Sequence, residues 1–129
     1  MEKKLDLTQA EWLLMEQLWT QSPQTGRELT CTMQAQTGWS RSTTLTLLRR
    51  LTEKGAGRCD AQGKTNVFLP AVARADAAAQ QTRDLLGRVY YGSLSLLVSA
   101  MAQQQALTQA EIDELYALLH DMEEKQRHD

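Results

Sequence analysis

The chain has 129 residues, and its 14 lysines and arginines against 16 aspartates and glutamates give a formal net charge of −2, which argues against a histone-like nucleic-acid binder. A hydrophobic content of 42% with 23% charged residues is typical of a globular chain, and no run approaches the roughly 18 apolar residues that a membrane span needs. The first residues lack the apolar core of a signal peptide. The two cysteines form neither a disulfide framework nor a paired metal motif. We therefore expect a cytoplasmic protein without membrane insertion.

Three short helices are predicted over residues 8–55, each with its own start or stop signals. The first two begin with a capping box, in which a threonine and a glutamate satisfy backbone N–H groups that the first helical turn leaves unpaired. A serine caps the third helix, and glycines end the second and the third. These residues are Thr8 with Glu11, Thr25 with Glu28, Ser40, Gly38 and Gly55.

The third predicted helix has two faces of different chemistry. An apolar stripe of three leucines faces inward, one turn after Thr44. The opposite face is polar and basic except for Leu45, which would be odd on a solvated surface and is predicted to touch a thymine methyl group. The stripe is Leu47, Leu48 and Leu51, and the opposite face carries Ser42, Thr43, Leu45, Thr46, Arg49 and Arg50.

A small β-hairpin is predicted to follow, with strands around residues 58–60 and 65–69 and a glycine turn between them. The third helix and this hairpin contain the basic maximum of the chain, residues 40–66. Only Glu53 and Asp60 oppose its six cations, which are Arg41, Arg49, Arg50, Lys54, Arg58 and Lys64. Residues 1–73 hold nine lysines and arginines against seven aspartates and glutamates, whereas residues 74–129 hold five against nine. Charge that differs in sign between two halves indicates two roles, one of them suited to an anionic partner such as DNA.

The second half of the chain is predicted to be helical. Apolar residues recur at helical spacing from the alanine-rich residues 73–82 to Met101, with Gly87 and Gly92 inside this pattern. A run of three glutamines at residues 103–105 predicts a break before the last helix.

The last helix is predicted to begin at a third capping box, Thr108 with Glu111, and its polar tail from Glu123 is expected to fray. The apolar stripes of this acidic half are too small for an independent core, so they are predicted to pack on a second copy of the chain. Folding back on their own N-terminal domain stays open as the alternative. The predicted dimerisation residues are Leu86, Val89, Tyr90, Leu94, Leu97, Met101, Ile112, Leu115, Leu119 and Met122.

Three helices followed by a hairpin is the element order of a winged helix-turn-helix domain, whose third helix enters the major groove of DNA. The predicted fold is mainly α, with a winged helix-turn-helix domain over residues 1–72 and a helical dimerisation domain over residues 73–129. A polar helix face alone is more simply a solvated surface, but the element order and the coincident basic maximum favour DNA. The predicted DNA-binding residues are Arg41, Ser42, Thr43, Leu45, Thr46, Arg49, Arg50 and, on the hairpin wing, Lys64.

Several strings of residues also resemble one known family. They are Ala10-Glu11-Trp12 with Met15 and Leu18-Trp19; Trp39-Ser40 with Thr43, Thr46-Leu47-Leu48, Arg50-Leu51 and Lys54-Gly55; Val89-Tyr90 with Gly92 and Leu97-Val98; and Leu107 to Ile112. In this order the chain resembles the penicillinase repressor (BlaI/MecI/CopY) family. The resemblance implies a homodimeric repressor that binds inverted repeats in promoters, often of β-lactamase or metal-resistance operons, with Ser42, Thr43, Leu45 and Thr46 at recognition positions and Arg50 near the DNA backbone.

The chain departs from this family pattern in places. Thr44 stands where a β-branched apolar residue is usual, which predicts a looser core, and Leu45 stands where a basic residue is often found. In the branch that is released by proteolysis, alignment places the cleaved bond near Ala100 and Met101, and a membrane sensor-protease is the implied partner. The family example has an Asn-Phe pair there, and Met101 is equally well explained as part of the apolar stripe.

No cofactor and no metal site are predicted. The copper-responsive branch uses C-terminal Cys-x-Cys motifs, and the last seven residues of this chain hold no cysteine. Cys31 and Cys59 are isolated and are expected to be structural, and His120 with His128 is not expected to bind metal. The sequence offers no nucleophile–base pair or phosphate-cradling loop, so an enzyme is excluded, and a protein-interaction module without DNA binding is the alternative function.

Overall fold

The computed structural model describes residues 5–127, and the contacts divide the chain into two units, one ending at Thr82 and one beginning at Arg83. The described residues form six helices and a three-stranded antiparallel sheet, as the predicted mainly α fold requires. In chain order the elements are α1 (Gln9–Thr20), β1 (Gln24–Thr25), α2 (Gly26–Thr37), α3 (Arg41–Lys54), β2 (Gly57–Gln62), β3 (Thr65–Pro70), α4 (Arg74–Val89), α5 (Leu94–Gln103) and α6 (Gln109–Arg127).

Hydrogen bonds confirm the predicted starts of the first three helices. The Thr8 backbone N–H donates to Glu11 Oε1 over 2.8 Å, and the Glu11 N–H donates back to Thr8 Oγ1 over 3.2 Å. Thr25 and Glu28 make the same exchange at the start of α2. Ser40 Oγ accepts the backbone N–H three residues further on, at the start of α3. These bonds satisfy donors that a helix start leaves unpaired, and so they fix where each helix begins.

The predicted glycine ends of α2 and α3 are also confirmed. Gly38 and Gly55 have φ values of 78° and 84°, in the left-handed region that strains a residue with a side chain. The Gly38 N–H donates to the Gln34 carbonyl over 3.0 Å, and the Gly55 N–H donates to the Thr52 carbonyl over 3.2 Å. Each glycine therefore turns the chain out of its helix at a defined residue.

The core of the first unit lies between α1, α2 and α3. Each helix turns one apolar face inward, as the spacing of its leucines and methionines predicts. Each such side chain contributes about 1.5–3 kcal/mol by leaving water. They are Leu14, Met15 and Leu18 from α1, Leu29 and Met33 from α2, and Leu47, Leu48 and Leu51 from α3.

The start of α4 packs within the first unit. Arg74 Nε donates to Glu16 Oε1 over 2.8 Å, and the Arg74 guanidinium lies 5.6 Å from the centre of the Trp12 ring. The division between the units falls inside α4, after Thr82. The domain boundary predicted after residue 72 stays a prediction.

The small sheet attaches the wing to the helices. The predicted hairpin is confirmed, because β2 and β3 pair antiparallel with Gln62 opposite Thr65 and with Gly63 at φ 65° in the turn. The strand β1 was not predicted, since two residues are too few to show an alternating pattern. It pairs with β3 at the sheet edge, with Thr25 opposite Val67, and thereby joins the wing to the residue that caps α2.

The second unit contains the end of α4 and the helices α5 and α6. The predicted helical pattern through Gly92 is wrong here, because α4 ends at Val89 and α5 begins at Leu94. The Gly92 N–H donates to the Leu86 carbonyl over 2.8 Å, and Tyr91 and Gly92 both have left-handed backbone, with φ of 53° and 79°. This bond between residues six apart ends α4 in the manner of a Schellman motif.

The third capping box begins α6 as predicted, and α6 continues further than predicted. Thr108 and Glu111 exchange backbone-to-side-chain hydrogen bonds of 3.2 Å each. The expected fraying from Glu123 is wrong as far as Arg127, which lies in the last turn, where a cation complements the helix dipole. Among the described residues no single helix is long and apolar enough to cross a membrane, and α4 with α5 meets that requirement of length and composition only as a bent pair.

Candidate nucleic-acid interface

The outward face of α3 presents short polar side chains around a shallow groove. Ser42, Thr43 and Arg50 are exposed, and Thr46 is half-buried. These four residues and Leu47 line a groove of about 260 Å³. Hydroxyl groups both donate and accept hydrogen bonds, and an arginine donates to phosphate or to guanine. The groove therefore offers the chemistry that the backbone and base edges of DNA require.

Hydrogen bonds order the hydroxyl groups at the start of this face. Ser40 Oγ donates to Thr43 Oγ1 over 3.0 Å and lies 3.2 Å from Ser42 Oγ. Because Ser40 is also the cap of α3, its position is set by the helix itself. The cap thus arranges two of the predicted DNA-binding side chains before any partner arrives.

The inward face of α3 fixes the helix on its unit. Leu48 and Leu51 are buried against α1 and α2, and Thr44 is fully buried beside them. The Thr44 hydroxyl has no hydrogen-bond partner within the described part of the chain. An unsatisfied buried hydroxyl costs about 1–3 kcal/mol, so Thr44 lowers the stability of the unit, while the looser core expected from its departure from the family pattern stays a prediction.

An ion pair joins the C-terminal end of α3 to the start of α1. Lys54 Nζ lies 2.7 Å from Glu11 Oε1 and donates a second hydrogen bond of 2.7 Å to the Asp6 carbonyl. Burial alone would raise the pKa of Glu11, but the hydrogen bonds from Lys54 and Thr8 outweigh it and hold that pKa below its ordinary value. Glu11 is therefore ionised at neutral pH and holds the C-terminal end of α3 to the start of α1.

Half of the basic maximum is neutralised within the fold. Arg58 lies 3.1 Å from Asp60 on the same strand, and Arg49 lies 4.0 Å from Glu53 one helical turn away. Lys54 is bound to Glu11 as described above. The predicted DNA-binding residue Arg49 thus has a competing partner on its own helix, although an exposed pair of this kind is worth little.

The other half of the basic maximum has no carboxylate partner among residues 5–127. These residues are Arg41 at the start of α3, Arg50 at its outward groove and Lys64 in the turn of the wing, and all three are exposed. Unpaired cations therefore leave positive charge on the surface of the unit at the start of α3, at its outward groove and in the turn of the wing. A phosphate backbone is the partner that such a surface attracts.

Leu45 has neighbours that the sequence did not reveal. Its side chain is 38% exposed, and its Cδ2 atom lies 3.5 Å from the position that a Cβ on Gly26 would take. Phe68 Cε2 from β3 approaches the same position to 3.7 Å. Leu45 therefore lies over the start of α2 beside Phe68, and only the remaining part of its surface is open to the predicted contact with thymine.

The second unit exposes an apolar surface on α5 and α6. None of the described residues of these two helices is buried. Of the predicted dimerisation residues, Val89, Leu94, Met101, Leu115, Leu119 and Met122 are exposed, and Leu86, Tyr90, Leu97 and Ile112 are half-buried. The structure describes where each of these side chains lies, and their role in a dimer stays a prediction.

Some of these residues line one groove of about 460 Å³ within the second unit. Leu94, Ile112, Leu115, Leu119 and Met122 belong to the predicted set. Four further residues line the groove that were not in the predicted set, namely Val98, Leu107, Tyr116 and Leu118. Spacing was the available signal, since Tyr116 follows Ile112 by four positions on α6 and so lies on the same helical face.

Comparison with known proteins assigns a family. The family model described as penicillinase repressor matches residues 7–121 of the chain. The chain belongs to the penicillinase repressor family. The penicillinase repressor of Bacillus licheniformis is 28% identical over 127 residues, which cover 98% of this chain and 99% of that protein. The methicillin resistance regulatory protein MecI of Staphylococcus aureus (strain N315) is 27% identical over 118 residues, covering 92% of this chain and 96% of MecI.

A solved structure of the same family supports the fold. Monomeric BlaI of Bacillus licheniformis, in complex with the blaP half-operator, matches with a TM-score of 0.52 and 29% identity over 59% of this chain and 93% of that one. This likeness confirms the predicted winged helix-turn-helix fold. Membership of the penicillinase repressor family also confirms a transcriptional repressor rather than an enzyme.

The bond that the family resemblance places at the cleavage site lies inside a helix. Ala100 and Met101 belong to α5, and their carbonyls accept the N–H groups of Gln104 over 3.3 Å and Ala106 over 3.0 Å. The Met101 side chain is exposed, whereas Ala100 is half-buried. The peptide bond between them therefore lies in the last turn of α5, where the hydrogen-bond pattern changes as the helix ends.

The cysteines and histidines take no part in the groove of α3. Cys31 on α2 and Cys59 on β2 are both exposed, contrary to the structural role expected for them, because neither lies on the inward face of its element. Among residues 5–127 no three side chains of the metal-binding types lie together. His120 is exposed on α6, and His128 lies outside the described residues.

Proposed function

We propose that this member of the penicillinase repressor family represses transcription as a homodimer that binds a two-fold symmetric operator. The outward face of α3 carries the proposal, since unpaired cations lie beside a groove of ordered hydroxyl groups there. The similarity to BlaI, solved with a half-operator, supports duplex DNA as the partner. Each half-site would receive one α3 in its major groove and one wing beside it.

The predicted site residues divide into two roles in this proposal. Ser42, Thr43, Thr46 and the open part of Leu45 read base edges from the groove. The cations bind the backbone, and Arg50 also stands close enough to the groove to reach guanine. The backbone contacts come from Arg41, Arg49, Arg50 and Lys64.

The proposed dimer uses the second unit, over the helical domain predicted to begin at residue 73. Its support is the apolar groove of α5 and α6, which a helix of a second copy would fill. Two-fold symmetry of the protein would then match an inverted repeat whose half-sites are about 10 base pairs, or a multiple, apart. Analytical ultracentrifugation of the complex should give two chains per operator duplex, and one chain per duplex would contradict the dimer.

The DNA-binding proposal is tested with a labelled duplex taken from upstream of the chain's own gene. Binding followed by fluorescence anisotropy should weaken steeply with salt. Thr46→Ala and Arg50→Ala should each weaken it by about 1–3 kcal/mol per half-site without changing thermal unfolding. Thr52→Ala is the matched control, since the Thr52 hydroxyl lies on the same helix but donates to the Leu48 carbonyl over 2.9 Å.

Two outcomes would contradict the DNA-binding proposal. If Thr46→Ala and Arg50→Ala both bind as tightly as the unsubstituted chain, α3 does not read the operator. If the chain fails to shift its own upstream region even at low salt, the surface of α3 serves a protein partner instead, which was the alternative function.

Release from DNA is proposed to follow cleavage near Ala100 and Met101, which takes place in the cytoplasm and is triggered by a membrane sensor-protease system. The support is the resemblance to the branch that is released by proteolysis and the exposed Met101 side chain. Mass spectrometry of the chain isolated from induced cells should show a fragment ending at residue 100. If the chain is intact in fully induced cells, cleavage does not cause its release from DNA.

A further inference from the structure

A second pocket lies next to α3, where α3 meets α2. Arg27, Thr30 and Cys31 line it from α2, Arg41 lines it from α3, and its volume is about 490 Å³. Thr30 and Cys31 follow Arg27 by three and four positions, so the three residues share one face of α2. Arg27 has no predicted role, because it lies outside the basic maximum of the chain.

Both arginines of this pocket are available to an anion. Arg27 and Arg41 are exposed, and no carboxylate forms an ion pair with either of them within residues 5–127. Among the described residues, none that lines the pocket is acidic, and the Thr30 hydroxyl donates to the Gly26 carbonyl over 2.7 Å. Two like charges facing one pocket repel each other, and an anion between them removes that repulsion.

We propose that Arg27 and Arg41 together bind one phosphate of the DNA backbone at the edge of the groove that α3 presents. The inference rests on the proposed function and deepens it by adding a residue of α2 to the interface. Arg41 is followed directly by Ser42 of the α3 groove, so one of the two arginines belongs to the first turn of the helix that carries the groove. A guanidinium matches phosphate oxygens with paired N–H groups, and here it would do so from two helices.

This phosphate contact positions the duplex without reading its sequence. Arg27→Gln should therefore weaken binding about tenfold for the operator and for unrelated DNA alike. The slope of log affinity against log salt should become shallower by about 0.9 for each half-site occupied. Arg27→Lys keeps the charge and should keep the slope.

The matched control removes the same charge elsewhere. Arg88→Gln, on the part of α4 that belongs to the second unit, should leave both the affinity and the salt slope unchanged. Thermal unfolding should not change in either variant, because both arginines are exposed. A loss of folding in Arg27→Gln would be seen in this measurement and separated from a loss of binding.

Cys31 provides a second measurement inside the pocket itself. In a Cys59→Ser background it is the only thiol of the chain, and its alkylation by iodoacetamide reports whether the pocket is filled. Operator DNA should slow this alkylation several-fold. Protection by inorganic phosphate alone, with no effect of Arg27→Gln on DNA binding, would overturn the assignment to a DNA phosphate.

The outcomes separate this inference from the proposed function. If the unsubstituted chain does not bind DNA at all, the proposed function fails and this inference fails with it. If the Arg27→Gln variant binds with the affinity and salt slope of the unsubstituted chain, and Cys31 is alkylated equally fast in the complex, the inference is overturned while the proposed function stands.

Discussion

The two units of the chain treat their apolar side chains in opposite ways. The first unit buries leucines and methionines from three helices between them, and several are completely buried. The second unit leaves Leu118 and Leu119 more than half exposed and buries no described residue of α5 or α6. Burial of apolar surface is the main favourable contribution to folding, so the first unit has an internal source of stability that α5 and α6 lack. In the proposed dimer, the second unit would gain the missing stability by association.

The largest expected effect comes from placing a charge in the exposed groove of the second unit. Leu119→Glu should raise the dimer dissociation constant by at least about 100-fold, because an unpaired carboxylate would be buried in an apolar interface. Sedimentation equilibrium measures this directly. The control is Leu13→Glu, since Leu13 of α1 is 41% exposed and lies in the first unit. A Leu119→Glu chain that stays dimeric would contradict the proposal that the groove of the second unit forms the dimer interface.

A smaller effect is expected at the ion pair that stabilises the first unit from within. Glu11→Gln should lower the free energy of unfolding by about 1–3 kcal/mol, since Glu11 is buried and hydrogen-bonded to Lys54. Urea unfolding measures the loss, and its midpoint should not depend on protein concentration. Glu53→Gln, at an exposed pair on α3, should change the same free energy by less than about 0.5 kcal/mol.

The same pair predicts a pH dependence with a definite sign. The pKa of Glu11 is lower in the folded chain than its ordinary value, so the folded state favours the ionised carboxylate. The stabilisation is complete above the unfolded-state pKa and is lost as the pH falls through the lower folded pKa. Unfolding curves recorded from neutral to acidic pH should show this loss in the unsubstituted chain and not in Glu11→Gln. Equal acid sensitivity of the two chains would contradict it.

Thr44→Val is expected to make the first unit more stable. Valine has nearly the shape of threonine and removes the buried hydroxyl that has no partner among the described residues. A gain of about 1 kcal/mol corresponds to a rise of about 4–8 °C in the melting temperature of a domain of this size. DNA binding should not change, because Thr44 faces inward. A fall in melting temperature would mean that the hydroxyl is hydrogen-bonded in solution.

The smallest effect is expected at Gly26, the first residue of α2. An added Cβ would meet Leu45 and Phe68 only at ordinary contact distances of 3.5 and 3.7 Å. Gly26→Ala should therefore raise the free energy of unfolding by about 0.4–1 kcal/mol, through the lower entropy of the unfolded chain. Differential scanning calorimetry checks it. A destabilised variant would show that Leu45 cannot move even slightly without loss of packing.

Most of the helical framework could be predicted because its signals are local. The capping boxes at Thr8 and Thr25 and the glycine at position 38 specify ends through bonds within a few residues, and the structure has all of them. The break at Tyr91 and Gly92 was missed, since apolar spacing continues across it and only the left-handed backbone ends α4. Such a backbone conformation has no periodic signature in the sequence.

The residue types of the candidate site could be predicted from the sequence. Which of its cations form ion pairs within the fold could not. Composition placed Arg49, Arg50 and Lys54 in one basic maximum, yet Lys54 is bound to Glu11, which is 43 positions away. Arg27 lines one pocket with Arg41 although it is 14 positions before Arg41 in the sequence. Which cations remain free depends on contacts between helices, and a single sequence does not state those contacts.

The exposed apolar groove of α5 and α6 has a consequence for the dose response of repression. If two chains must associate before they bind tightly, and most chains are single, the concentration of pairs rises with the square of the total. Halving the amount of chain would then leave only about a quarter of the pairs. The steepness of the regulatory response would thus be set by the weak self-association of the second unit, while α3 decides which promoter responds.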